Sequence, residues 1–189
     1  MFMIPLFIIL GAIVLIVLWV VMIYNGLIKL KNQVDEGWSD IDVQLKRRHD
    51  LIPNLVESTK GYMTHERTLL ENITKARSTA MSAQASGDTA GLAKAEGNLG
   101  NLLGNLRVAF EAYPDLKANQ TMVQLMDQLA DTEDKIQAAR RFYNGVVRDF
   151  NIKMQVFPSN MVASSLGFKA REFFEIENAA ERENVSVKF

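Results

Sequence analysis

The chain has 189 residues and a mass of 21.3 kDa, with 48% hydrophobic residues, a formal net charge of -1 and no cysteine. That length can bury one domain-sized core, and the missing cysteine removes disulfides, thiolate metal sites and a cysteine nucleophile. The near balance of 21 basic against 22 acidic residues argues against a general nucleic-acid-binding surface.

Charge is unevenly placed, because Met1 to Ile28 carries no charged side chain. Met1 to Tyr24 is apolar apart from Pro5, Gly11 and the tyrosine hydroxyl. As a helix, roughly 20 to 24 residues at about 1.5 Å each cross a hydrocarbon core of ~30 Å. Pro5 falls in the first turn, where its missing N–H costs little. Trp19 and Tyr24 stand toward the far end, where amphipathic rings favour the headgroup level. A cleaved signal peptide fits less well: no basic residue precedes the apolar run, and Trp19-Val20-Val21-Met22-Ile23 is bulky where cleavage would occur. The segment is read as an uncleaved membrane anchor in contact with lipid. Lys29 and Lys31 follow it closely, so the positive-inside rule predicts a cytoplasmic C-terminal domain and an outside N-terminus.

Beyond the anchor, apolar residues recur at spacings of three and four, as on one face of a helix. Leu27, Leu30, Val34, Trp38, Ile41 and Leu45 continue from the span without a breaker. A second stripe runs from Ile52 to Ala80, a third from Leu92 to Tyr113 and a fourth from Met122 to Met154. Asp50 suits a helix cap with Pro53 in the first turn; a kink in one continuous helix is the alternative. Ser86-Gly87-Asp88-Thr89 predicts a loop with Asp88 or Thr89 as the next cap. Pro114 and Pro158 predict the ends of the third and fourth helices. In the stretch 159–189 serines, Asn160 and Gly167 break the pattern, and acids gather between Glu172 and Glu183. Phe168, Phe173 and Phe174 predict partial packing there, with fraying of the last ten or so residues. Period-two alternation is confined to Val185 to Phe189. The expected fold is therefore all-α: an N-terminal transmembrane helix continuing into a long antiparallel four-helix bundle. The anchor is 1–24, the helical domain 25–158 and the partly ordered tail 159–189.

Chemistry is sparse. The histidines are His49 and His65, with no second histidine at zincin spacing after His65-Glu66, and no Glu-x-x-His pair of the di-iron kind. No G-x-S-x-G elbow is present. The glycines at 97, 100 and 104 lack the lysine of a phosphate loop, and are read as points of close helix approach. No cofactor or catalytic residue is expected. Lys46-Arg47-Arg48 is the one dense basic cluster, and with Trp38 it is a candidate interaction surface. In the fourth stripe, positions 129, 133, 136, 140, 143 and 147 place Glu133 and Arg140 in the apolar seam. Arg77 falls on its own stripe four residues after Ile73. Buried charges must be paired, so Arg77, Glu111, Glu133 and Arg140 are expected to form a polar layer, with Glu66 a further available partner.

Longer motifs point to a family. After Tyr24-Asn25 come Trp38-Ser39-Asp40-Ile41-Asp42-Val43-Gln44-Leu45-Lys46-Arg47-Arg48, then Asp50-Leu51-Ile52-Pro53-Asn54-Leu55-Val56 and Lys60-Gly61-Tyr62. Glu111 to Asn119, Glu133 to Arg140, Tyr143-Asn144, Phe157-Pro158 and Gly167-Phe168 follow in order. The chain resembles the LemA family over nearly its whole length. The resemblance implies a bacterial single-span membrane protein of long helices without an established enzymatic activity. One branch of the family is tied to magnetosome membrane formation, and others are encoded beside a membrane-bound zinc metalloprotease. It thus implies a scaffold or adaptor at the inner membrane whose partners are its own copies or another membrane protein such as a protease. The alternative is an oligomer that shapes or organises membrane.

Overall fold

A computed structural model describes residues 3–63 and 65–175. Among them every regular element is helical: α1 (Met3–Thr59), α2 (Arg67–Ser86), α3 (Thr89–Phe110), α4 (Pro114–Ala118), α5 (Gln120–Gln155) and α6 (Ser159–Ser165). The fold is all-α, as the periodicity predicts. The expected alternation at Val185 to Phe189, the fraying end and most of the acidic stretch lie outside the described residues.

The described chain divides into two compact units, one of residues 3–40 and 139–173, the other of residues 41–138 and 174–175. In the first, α1 begins with a wholly apolar exterior. From Leu6 to Met22 every residue but the half-buried Val20 is exposed, Leu15 by 68%. It is the one helix among the described residues long and apolar enough to cross a membrane. Burial then begins at Ile23, Leu27 and Val34, in the unit that also buries Tyr143, Val147 and Phe150 of α5. At Gly37 the two helices come close, since a Cβ there would lie 3.3 Å from the Tyr143 Cα and 3.2 Å from the Phe142 ring. Trp38 stacks obliquely on Tyr143, with ring centroids 5.5 Å apart.

The C-terminal part of this unit folds back by a specific device. Gly167 takes a positive φ of 73°, and the N–H groups of Gly167 and Phe168 donate to the carbonyls of Ser164 and Ala163. This is the glycine-dependent termination that caps the last carbonyls of a helix and reverses the chain. It returns Phe168 to Tyr24 of α1 and Phe150 of α5, each ring at 6.3 Å. Arg171 then binds Asp35 at 2.8 Å, and its backbone exchanges two hydrogen bonds with the Asn151 side chain. Phe168 is thus the residue by which this stretch meets both helices.

In the second unit, one apolar core takes Ile52, Leu55 and Val56 from α1, Leu70, Ile73 and Ala80 from α2, Leu99, Leu103 and Leu106 from α3, Leu116 from α4 and Met122 and Leu129 from α5. The caps follow local chemistry. Gly87 ends α2 at a φ of 72°, and Asp88 caps α3 by accepting from the Gly91 N–H at 2.9 Å. Asn119 accepts from the Thr121 and Met122 N–H groups at the start of α5.

Three expectations are corrected. Asp50 does not cap a helix: it lies inside α1, which runs on to Thr59 with Pro53 in its interior. The second stripe is consequently two elements, because the chain turns after Thr59 and α2 starts only at Arg67. The apolar spacing bridges this turn because Met63, within it, is itself buried. Gly100 and Gly104 are not points of close approach either, since a Cβ on either would meet nothing within 4 Å.

Candidate functional site

The second unit buries a charged cluster at the level where Leu45 and Ile52 of α1 enter the core. Arg48 and Glu96 occupy apolar stripes of their own helices: Leu45, Arg48, Ile52 and Leu55 step by three and four along α1, as do Leu92, Glu96, Leu99 and Leu103 along α3. Helical geometry therefore aims both side chains inward. Arg48 is 1% exposed and Glu96 0%. The Arg48 guanidinium donates to Glu96, and through its other terminal nitrogen to Glu133 Oε2 of α5 at 2.5 Å. His49 Nε2 lies 2.8 Å from the second Glu96 oxygen, Oε1, and donates to it. Glu96 thus holds one partner on each carboxylate oxygen. Burial pushes its carboxyl pKa up; the His49 hydrogen bond and the Arg48 positive charge outweigh this and hold it below the ordinary glutamate value.

A further contact explains how α1 tolerates its interior proline. Pro53 has no N–H, so the His49 carbonyl four residues earlier loses its helical donor. Arg77 of α2 supplies one instead, with Nε 2.7 Å from the His49 oxygen. One residue, His49, is therefore held by α3 through its ring and by α2 through its backbone.

The residues singled out in the sequence divide accordingly. Glu133 pairs with Arg48, and Arg77 with the His49 carbonyl, so these two flank the same short stretch of α1. Glu111 is exposed and pairs with Lys117, which removes it from the expected polar layer. Arg140 is half-buried in the first unit, and Glu66 accepts a hydrogen bond from the Tyr113 hydroxyl. Of the expected interaction surface, Lys46 and Arg47 are exposed, with Arg47 3.8 Å from Asp131. Trp38 is half-buried against Tyr143. Arg48 is corrected from surface to interior, because it follows the seam of α1 and not its solvated face. Glu96 went unnamed in the sequence and His49 was weighed there only as a metal ligand, although the seven-residue step from Leu92 to Leu99 marks Glu96.

Chemically the cluster is a poor acid–base set. Its inner carboxylate is sealed and doubly bonded, and among the described residues no three His, Asp or Glu side chains converge as a metal site would need. The Arg48 pairs join α1 to α3 and to α5.

The chain matches the LemA family over residues 37–189, a stretch containing every member of the cluster. The chain belongs to the LemA family. This LemA-family chain is 31% identical over 163 residues to protein LemA of Metamycoplasma hominis, covering 86% of this chain and 72% of that protein. It is 26% identical over 193 residues to magnetosome protein MamQ 1 of Paramagnetospirillum magneticum, covering 90% of this chain and 71% of that one. With magnetosome protein MamQ of Magnetospirillum gryphiswaldense the identity is 25% over 181 residues, covering 84% of this chain and 66% of the relative. Family membership and the exposed apolar start of α1 together mark a membrane-associated protein.

Proposed function

We propose that this LemA-family chain is a membrane-anchored helical scaffold that recruits partner proteins or assembles with its own copies at the bacterial inner membrane, and catalyses no reaction. The observation that carries this is the change of environment along α1. Leu6 to Met22, Val20 apart, keep their apolar side chains exposed, whereas Ile41, Leu45, Ile52 and Leu55 of the same helix are buried in protein. Apolar surface on that scale is stable in hydrocarbon and not in water. A helix that does both holds folded protein at a bilayer. The sealed Arg48–Glu96 pair supports the non-catalytic reading, because buried, mutually paired charges serve helix register better than turnover. Lys29 and Lys31 after the span support a cytoplasmic helical domain with the N-terminus outside. Exposed Lys46, Arg47 and Val43 give the partner, a second copy or another membrane protein such as a protease, a polar face to meet.

The test is a photoreactive residue at Val43 of the full chain in native membranes. The expected result is a chain that resists alkaline extraction and crosslinks to a product of discrete mass. Release by alkali, or monomer alone after irradiation, contradicts the proposal.

Similarity to MamQ over 90% of the chain favours a second reading, an oligomer that organises membrane. Raising the ratio of chain to lipid in vesicles then changes their size or curvature under electron cryo-imaging. Vesicles of unchanged shape at every ratio argue against it.

A further inference from the structure

The turn between α5 and α6 exposes more apolar surface than a solvated turn has reason to. Ile152, Val156, Phe157, Met161 and Leu166 are all exposed, Phe157 by 77%. Ordinary turns are polar, and this many exposed apolar side chains in one short stretch suit an interaction surface. The turn is nonetheless built, because Ser159, Val162 and Ala163 are buried beneath it and the Ser159 hydroxyl donates to the Lys153 and Val156 carbonyls.

Its place and its charge identify what it meets. Trp38 of α1 faces Tyr143 of α5, whereas Tyr24 and Phe150 share Phe168, so α5 runs back along α1 toward the membrane span. The turn beyond Phe150 therefore reaches the level where the span ends. The exposed Leu166 lines one cleft of about 680 Å³ with Tyr24, Ile28, Lys31 and Lys169. Tyr24 is the last residue of the apolar segment, at the position where amphipathic rings favour lipid headgroups. Between Phe150 and Arg171 there is no acid, while Lys153 and Lys169 are both present. Apolar side chains flanked by lysines, with no acid among them, suit the boundary between acyl chains and anionic headgroups.

We propose that the turn from Ile152 to Leu166 is a second, shallow membrane-contact surface, seated in the headgroup layer of a bilayer containing anionic phospholipid beside the α1 span. It rests on the anchoring of α1 and adds a contact that the span alone does not require. The chain would then grip the interface at two points, by Leu6 to Tyr24 across the bilayer and by Phe157, Met161 and Leu166 on its surface.

The absence of cysteine makes the test direct, since a single introduced thiol is the only labelling site. The full chain carrying Phe157→Cys or Met161→Cys, labelled with an environment-sensitive fluorophore, is reconstituted in vesicles of phosphatidylcholine alone or mixed with phosphatidylglycerol. Both sites are exposed, so neither substitution disturbs a core. Leu15→Cys marks the span, and Val108→Cys, 74% exposed on α3, marks solvent. The expected result is a blue shift at 157 and 161 with quenching by shallow lipid-borne nitroxides, absent at 108. Adding Lys153→Gln and Lys169→Gln reduces the shift in the phosphatidylglycerol mixture only. Quenching at 15 with a water-like, unquenched label at 157 and 161 overturns this proposal and leaves the anchor standing. No quenching at 15 overturns the anchor as well. A blue shift without lipid quenching means that protein, such as a second copy, covers the turn, and also overturns it. A lysine effect of equal size in both lipids overturns the part played by anionic headgroups.

Discussion

Arg48 and Glu96 each need the other. Replacing Arg48→Met leaves a buried carboxylate with only His49 beside it, and the expected cost is about 3–5 kcal/mol in the unfolding free energy of the detergent-solubilised chain. The triple change Arg48→Met, His49→Leu, Glu96→Leu removes all three inner groups and should recover most of that loss, because apolar replacements of a whole buried network are close to neutral. A triple variant as unstable as the single one contradicts the pairing. The pH dependence follows from the Glu96 shift. A carboxyl held below its unfolded value, about 4.3, adds stability that is fully present above that value and is lost as pH falls through the lower folded one. Acid titration of stability should therefore be steeper in the natural chain than in Glu96→Gln. Equal slopes would show that Glu96 carries no such linkage. The Arg77–His49 contact makes a third prediction at this scale. Arg77→Leu should cost about 1–3 kcal/mol by orphaning the His49 carbonyl. In a Pro53→Ala background, which restores the helical donor, the same change should cost clearly less, as a double-mutant cycle on unfolding free energy would read. Glu133 and Arg77 were legible in the sequence as charges on apolar stripes. Arg48 was not, because it closes the run Lys46-Arg47-Arg48, and its membership of the seam emerges only when α1 is phased on Leu45 and Ile52.

At the scale of elements, apolar periodicity reads the helices well and their breaks poorly. The span, α3 and α5 follow from their stripes, and Gly87, Asp88 and Pro114 punctuate near where they should. The turn after Thr59 was hidden because Met63 stays buried through it, and Pro53 suggested a boundary that Arg77 makes unnecessary. Glycine is the other residue whose role depends on its neighbours. Gly100 and Gly104 have open space around them, so alanine at each should stabilise α3 by about 0.4–1 kcal/mol through a less entropic unfolded chain and better helix propensity. Gly37 differs, because the Tyr143 backbone stands 3.3 Å from a built Cβ and cannot rotate away. Alanine there should lower the melting temperature while alanine at 100 and 104 raises it. The same sign at all three positions would contradict this account of α1 against α5.

For the molecule as a whole, the sequence separates two materials, and the structure gives each an environment. Among the described residues the apolar stretch from Leu6 to Met22 forms the largely exposed start of α1, and the amphipathic helices that follow bury their apolar stripes. Membership of the LemA family and the apolar start of α1 agree on a membrane-associated protein. What the sequence could not specify is the occupant of the exposed surfaces, because side-chain pattern distinguishes inside from outside and not one partner from another. The proposed scaffold works as an assembly at the membrane. Its most direct measurement is native mass spectrometry of the full chain released from native membranes in lipid nanodiscs. The expected result is discrete masses at two or more times 21.3 kDa, or masses that include one further membrane protein in fixed ratio. A single species of 21.3 kDa with lipid alone, at every chain density, would contradict it.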